Sequence, residues 1–178
     1  MNKGILLPVL SLILAVVILL GVSFGLKGVA EEKAQAEHLR LLRTVLPDSE
    51  NFVVEPYAGD DANIVSVHKA ENGFVIETVT RGYVDDIRML IGVSNDGKVT
   101  GLVVRELDET FGLGAAALTD TDFLSQFLNT SGEAEVGSTV DALTGATVTS
   151  KAITRAVNSA VAYVTGADAS SGATSWGG

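Results

Sequence analysis

Cysteine is absent from the 178 residues. That absence removes disulfides, thiolate zinc sites, cysteine-ligated iron–sulfur clusters and thioether-linked haem. Histidine is nearly as scarce, with only His38 and His68, so a hydrolytic or metal centre built on imidazole has little to draw on. Basic charge is also short: 12 lysines and arginines face 22 acids, a formal net charge of −10. This balance argues against a nucleic-acid partner, which requires clustered basic residues. Any redox role must use a cofactor that is not held by thiols.

What is present begins with an uncharged run from Gly4 to Leu26. As a helix, its roughly 23 residues extend about 34 Å, enough to cross a bilayer core with slight tilt. A cleaved signal has a shorter apolar region, so the run reads as a retained single-pass anchor, although Gly28-Val29-Ala30 could serve as a cleavage site. Pro8 falls in the first turns, where a missing N–H costs least. The flanking charges leave orientation open. Lys3 precedes the run and Lys27, Lys33, Arg40 and Arg43 follow it, among Glu31, Glu32 and Glu37. A raw count of basic residues places the following domain in the cytoplasm, yet a large C-terminal domain can translocate despite its charges.

From Ala30 the apolar residues Ala34, Leu39, Leu42, Val45 and Leu46 keep helical spacing until Pro47 stops them. Residues 1–46 are therefore read as a transmembrane anchor and juxtamembrane helix, and Pro47 to Asp61 as a linker. Four segments rich in β-branched residues follow: Ile64 to His68, Gly73 to Thr80, Ile87 to Val93 and Val99 to Arg105. Turn signals separate them at Glu71-Asn72-Gly73, Gly82-Tyr83 and Asn95-Asp96-Gly97, which predicts an antiparallel meander. Thr121 to Asn129 and Ser150 to Val164 carry apolar residues at helical spacing. The expected class is α+β: a single N-terminal transmembrane helix, then a small domain at 47–165 with an antiparallel sheet and packed helices. A flexible Gly-, Ser- and Ala-rich tail completes the chain at 166–178.

The segment with chemical content is Asp141-Ala-Leu-Thr-Gly-Ala-Thr147-Val-Thr-Ser150, a cluster of hydroxyls just ahead of the last helical pattern. Hydroxyls here either cap the helix in the ordinary way or share its free N–H groups with a bound phosphate. Three further segments stand in order before it: Gly82-Tyr83-Val-Asp-Asp-Ile87, Gly92-Val-Ser-Asn-Asp-Gly97-Lys-Val-Thr-Gly101 and Glu109-Thr110-Phe-Gly112-Leu-Gly114. Together the four motifs resemble the FMN-binding domains of respiratory electron-transfer complexes. In size and lone anchor the chain is similar to the G subunits of Rnf-type ion-translocating complexes, relatives of the C subunit of the sodium-pumping NADH:quinone oxidoreductase.

The resemblance implies FMN esterified through its phosphate to Thr147, with Thr144, Gly145, Ala146, Thr149 and Ser150 forming the surrounding loop. Asp141 matches the acid expected for recognition by a separate flavin transferase, which splits FAD and attaches FMN. Glu109, Thr110 and Leu113 match a second loop that approaches the flavin; Phe111 and Leu107 depart from the Pro usual and the His frequent at those positions. Asp168-Ala-Ser-Ser171-Gly-Ala-Thr174 repeats the spacing of the attachment motif without a helical segment after it, so Thr174 is a possible second FMN site. The implied partners are the other subunits of a membrane electron-transport complex, with the flavin domain outside the cytoplasmic membrane.

Other readings are weaker. Gly112-Leu-Gly114-Ala-Ala-Ala117 fits a dinucleotide-binding pattern, but Thr119 to Asp122 interrupts where a crossover helix is required. Asp60-Asp61 and Asp85-Asp86 could be offered as metal carboxylates, yet neither pair has a third ligand at suitable spacing. Tyr83 either packs near a flavin or fills the sheet edge. The expectation is thus a membrane-anchored electron-transfer subunit; the alternative is an anchored, non-redox binding or assembly module whose hydroxyl loop merely caps a helix.

Overall fold

Alternation of β-branched and polar residues between Ile64 and Arg105 builds the sheet. In the computed structural model, which describes residues 32–83, 85–106 and 120–167, five strands follow one another in chain order. These are β1 (Val53–Glu55), β2 (Ile64–Lys69), β3 (Gly73–Arg81), β4 (Asp86–Ser94) and β5 (Val99–Glu106). Every neighbouring pair is antiparallel, in the order β1-β2-β3-β4-β5. The four expected strands are present with ends shifted by a residue or so. β1 was not expected: it lies within the segment read as linker, and it pairs Val54 with His68 across the sheet edge.

Three helices accompany the sheet. Residues 32–45 form α1, Thr121–Ser125 form α2 and Thr147–Thr165 form α3. Two compact units divide inside α1, at Arg40 and Leu41, and the sheet belongs to the second. Among the described residues no helix is long and apolar enough to cross a membrane. The expected anchor at Gly4 to Leu26 lies outside them.

Successive residues of a strand point to opposite faces, and here both faces are covered. Ile76, Met89, Ile91 and Val93 join α3 and the α2 residue Phe123, with Phe127 just beyond it, in the larger core. Val75 and Leu90, one position out of phase, meet Leu42, Val45 and Leu46 from the end of α1. A pair of glycines permits that second contact. Gly92 and Gly101 are cross-strand partners; a Cβ on Gly92 would come within 2.1 Å of the Val45 carbonyl oxygen, and one on Gly101 within 2.8 Å of Val45 Cα. The backbone of Val45 therefore rests on bare sheet, and Thr100 Oγ1 donates to its carbonyl at 2.6 Å.

The direction of α3 follows from its ties to the sheet. Thr80, near the end of β3, donates its hydroxyl to the Ala152 carbonyl at 3.1 Å, and Arg155 donates to the Arg81 carbonyl at 3.0 Å. At the opposite end, the β4–β5 turn at Gly97 abuts Thr165. The first turn of α3 thus lies at the end of the sheet where β3 passes into β4 and where β5 finishes at Glu106, paired with Arg88.

Candidate functional site

Gly145 adopts φ of 81°, a left-handed conformation that glycine takes without steric cost. The bend lets Ala146 N–H donate to the Leu143 carbonyl at 2.9 Å, closing a turn just before α3. The helix then begins at Thr147, three residues ahead of the expected start. Threonine is a poor helix former, and two of them in Thr147-Val-Thr149 conceal the first turn from a periodicity reading.

The cap position falls on Ala146, which has no side-chain oxygen, and no side chain caps α3. The contrast with α2 is direct: there Asp120 accepts from both Asp122 and Phe123 N–H. The first intrahelical bond of α3 runs from Ser150 N–H to the Ala146 carbonyl at 2.9 Å. This leaves the N–H groups of Thr147, Val148 and Thr149 without a protein partner among the described residues. Three such donors at the positive end of a helix dipole constitute an anion-receptive site. The hydroxyls of the loop are not acting as ordinary caps.

The side chains of this segment divide into two groups. Thr144, Gly145, Thr147 and Val148 are exposed, whereas Ala146, Thr149 and Ser150 are buried. Ser150 Oγ accepts from Leu143 N–H at 3.3 Å and donates to the Ala146 carbonyl at 3.0 Å, so it locks the loop onto the helix. Thr149 and Ser150 therefore serve the loop from inside, and a ligand would meet their backbone or nothing. The Thr147 hydroxyl is open to a modifying enzyme. Asp141 is also exposed, and its N–H donates to the Gln126 side-chain oxygen at 2.8 Å. That amide clamp from the end of α2 carries no sequence signal, since a glutamine in a polar turn is unremarkable until the fold brings it across.

Tyr83 is 74% exposed on the β3–β4 connection, so it does not fill the sheet edge. Asp85 and Asp86 are engaged with Arg81 at 3.6 and 3.3 Å. His68 is buried on β2, within 3.5 Å of the Ser66 hydroxyl, and His38 lies on α1. Neither histidine belongs to the Thr147 segment. No titratable side chain is hydrogen-bonded to Thr147 among the described residues, so nothing described there activates its hydroxyl. Glu109, Thr110 and Leu113 of the second loop, with Leu107 and Phe111, lie outside the described residues, as does Thr174. What the structure does place is the last residue before that loop, Glu106, at the same end of the sheet as Thr147.

The uncapped helix start fits a phosphate: it offers a hydroxyl to esterify and three N–H groups to receive the remaining oxygens. Comparison with known proteins agrees. The FMN-binding domain family matches residues 82–162, from the β3–β4 connection through most of α3. The G subunit of the ion-translocating oxidoreductase complex of Methanosarcina acetivorans is 34% identical over 151 residues, covering 76% of each chain. Its counterpart in the Na(+)-translocating ferredoxin:NAD(+) oxidoreductase complex of Acetobacterium woodii is 28% identical over 183 residues, 89% of this chain and 88% of the relative. A shorter match, 38% over 99 residues, covers 52% of this chain and 53% of the G subunit of the proton-translocating ferredoxin:NAD(+) oxidoreductase complex of Clostridium ljungdahlii.

Proposed function

The chain belongs to the FMN-binding family of G subunits of ion-translocating oxidoreductase complexes, and from that premise we propose that it relays electrons through FMN esterified to Thr147. The observation that carries this reading is the start of α3: an exposed hydroxyl on the first helical residue, beside three N–H groups that no side chain caps. Thr147 Oγ would form the bond to the flavin phosphorus while the pyrophosphate link of FAD breaks and AMP leaves with the hydroxyl proton released. Because no described side chain activates that hydroxyl, the reaction belongs to a separate flavin transferase, for which exposed Asp141 is the recognition acid.

FMN supplies one- and two-electron chemistry; the protein's part is to hold and place it. The N–H groups of Thr147, Val148 and Thr149 receive the phosphodiester charge. Thr144 and Gly145 shape the approach, and Ala146 and Ser150 keep the turn closed. Glu109, Thr110 and Leu113 would meet the flavin from the loop that leaves β5. Gly4 to Leu26 would anchor the chain as a single span, with the flavin domain on the extracytoplasmic side and the other subunits of a ferredoxin:NAD+ oxidoreductase complex as partners. Sodium and protons both figure in the relatives' names, so either ion suits the proposal.

Tryptic peptides of the chain from its native membrane, or co-expressed with a transferase, test this by mass. Cleavage after Arg105 and Lys151 isolates Glu106 to Lys151, which contains Thr147; cleavage after Arg155 isolates Ala156 to Gly178, which contains Thr174. An FMN increment is expected on the first peptide. Its absence in the presence of an active transferase returns the chain to the non-redox binding reading, and an increment on both peptides makes Thr174 a second site.

A further inference from the structure

The opposite end of the domain holds a feature unrelated to flavin. Pro47 stops α1, and the chain turns through Asp48, whose φ is 62°. Asn72 Nδ2 donates to the Asp48 carbonyl at 2.7 Å, and Asn95 Nδ2 donates to the Glu71 carbonyl at 2.9 Å. These carboxamides brace the walls of a cavity of about 550 Å³ lined by Arg43, Asp48, Ser49, Glu50, Asn51 and Glu71. It lies beside the β2–β3 and β4–β5 turns, and thus toward the C-terminal end of α3, which is about 28 Å long.

Two observations mark it as a built site. Ser49 is only 3% exposed, yet its Oγ has no hydrogen-bond partner. A buried hydroxyl left in that state lowers stability, so its retention at a cavity wall points to a ligand that completes it. Charge is the second: three carboxylates face one guanidinium, and among the described residues none of the four is in an ion pair with another. The carboxylates do not converge, since no described group of three acidic or imidazole side chains is close enough to hold a metal ion. A divalent cation needs its oxygen ligands within about 2.0–2.6 Å. An organic ammonium carries its own N–H donors and can reach carboxylates that stand apart, with Ser49 Oγ and the Asn51 carbonyl as neutral acceptors.

We infer that this cavity binds a primary alkylammonium group, supplied by a lysine side chain of a partner or by a free polyamine. The test is amide NMR of the full-length chain in detergent micelles, titrated with butylammonium and separately with spermidine at constant ionic strength. Saturable shifts at Ser49, Asn51 and Glu71 are expected with both. Similar affinity for the two identifies a lysine-like ligand, and affinity at least tenfold higher for spermidine identifies a polyamine. Ser49→Ala should weaken binding roughly five- to tenfold, the loss of one hydrogen bond, while the free variant melts no lower than the parent because an unpartnered hydroxyl has been removed. Glu71→Gln should weaken binding as well. Shifts spread over the acidic surface without saturation, equal shifts with magnesium, or an unaltered affinity in Ser49→Ala would each overturn the inference.

Discussion

If the phosphate of FMN occupies the start of α3, attaching it should stabilise the fold through electrostatics that can be isolated. Thr147, Val148 and Thr149 present three N–H groups with no cap, and Thr147 is exposed. A charge at such a helix end contributes about 0.3–1 kcal/mol, and a missing cap costs about 0.5–2 kcal/mol. Exposure favours the lower part of both ranges, so about 1 kcal/mol is a reasonable expectation. For a domain of this size that corresponds to a rise in melting temperature of about 3–5 °C. The comparison is between full-length chain expressed with and without an active flavin transferase, loading being established by mass and unfolding followed by circular dichroism in the same detergent. Raising salt from 0.1 M to 1 M shortens the Debye length from about 10 Å to about 3 Å, and the difference should shrink accordingly. Fully loaded chain that melts with the unloaded form at 0.1 M salt would show that the phosphate is not at the helix start. A gain that ignores salt would assign the stabilisation to contacts of the flavin ring instead.

Replacing Gly92 with Ala drives a Cβ into the Val45 carbonyl and the Thr100 hydroxyl; overpacking and the strained hydrogen bond together should cost about 2–4 kcal/mol, and a melting temperature within a degree of the parent would mean that α1 does not rest on the sheet there. Burial and the neighbouring Glu55 carboxylate hold the Tyr163 phenol above its ordinary pKa. Its folded value exceeds its unfolded one, so its contribution to stability is intact below about pH 10 and is lost as pH rises from there through the folded value. Phenolate absorbance should show Glu55→Gln bringing that ionisation down, and an unmoved titration would exclude Glu55 as a cause. Asp141→Ala removes an exposed carboxylate while keeping the N–H that Gln126 receives, so it should lower flavin loading several-fold with little change in melting; normal loading by a limiting amount of transferase would remove Asp141 from the recognition role.

The strands of the sheet were legible because their determinants are local. Asn95-Asp96-Gly97 forms the β4–β5 turn, with Gly97 at φ of 80° and its N–H on the Ser94 carbonyl. The apolar residues of β3 and β4 run nearly continuously because both faces are buried, which still signals a strand. β1 escaped notice because three residues, Val53 to Glu55, are too few to show a period and are held by pairing with β2 rather than by their own pattern. The attachment loop was found by its motif, but its decisive property, a helix start on a residue with no capping side chain, concerns backbone donors and has no side-chain signature. Gln126 at Asp141, Thr80 at Ala152 and Arg155 at Arg81 join segments far apart in sequence, and such ties emerge only once the chain has folded. Ser49 is the extreme case, a single serine in a polar turn whose meaning rests wholly on having been buried without a partner.

A meander in which each strand neighbours the next in the chain assembles from short-range hairpins, which close with little loss of chain entropy. Helix α3 comes after all five strands, and only its docking fixes Thr147 at a helix start with its neighbours' N–H groups aligned. Timing follows from that order: a transferase that needs the aligned set must act on a chain whose sheet is already complete. Flavin attachment would then serve as a certificate of folding, withheld from chains that have not finished. A pulse-chase in which protease resistance precedes flavin incorporation would bear this out, and flavin on protease-sensitive chains would refute it.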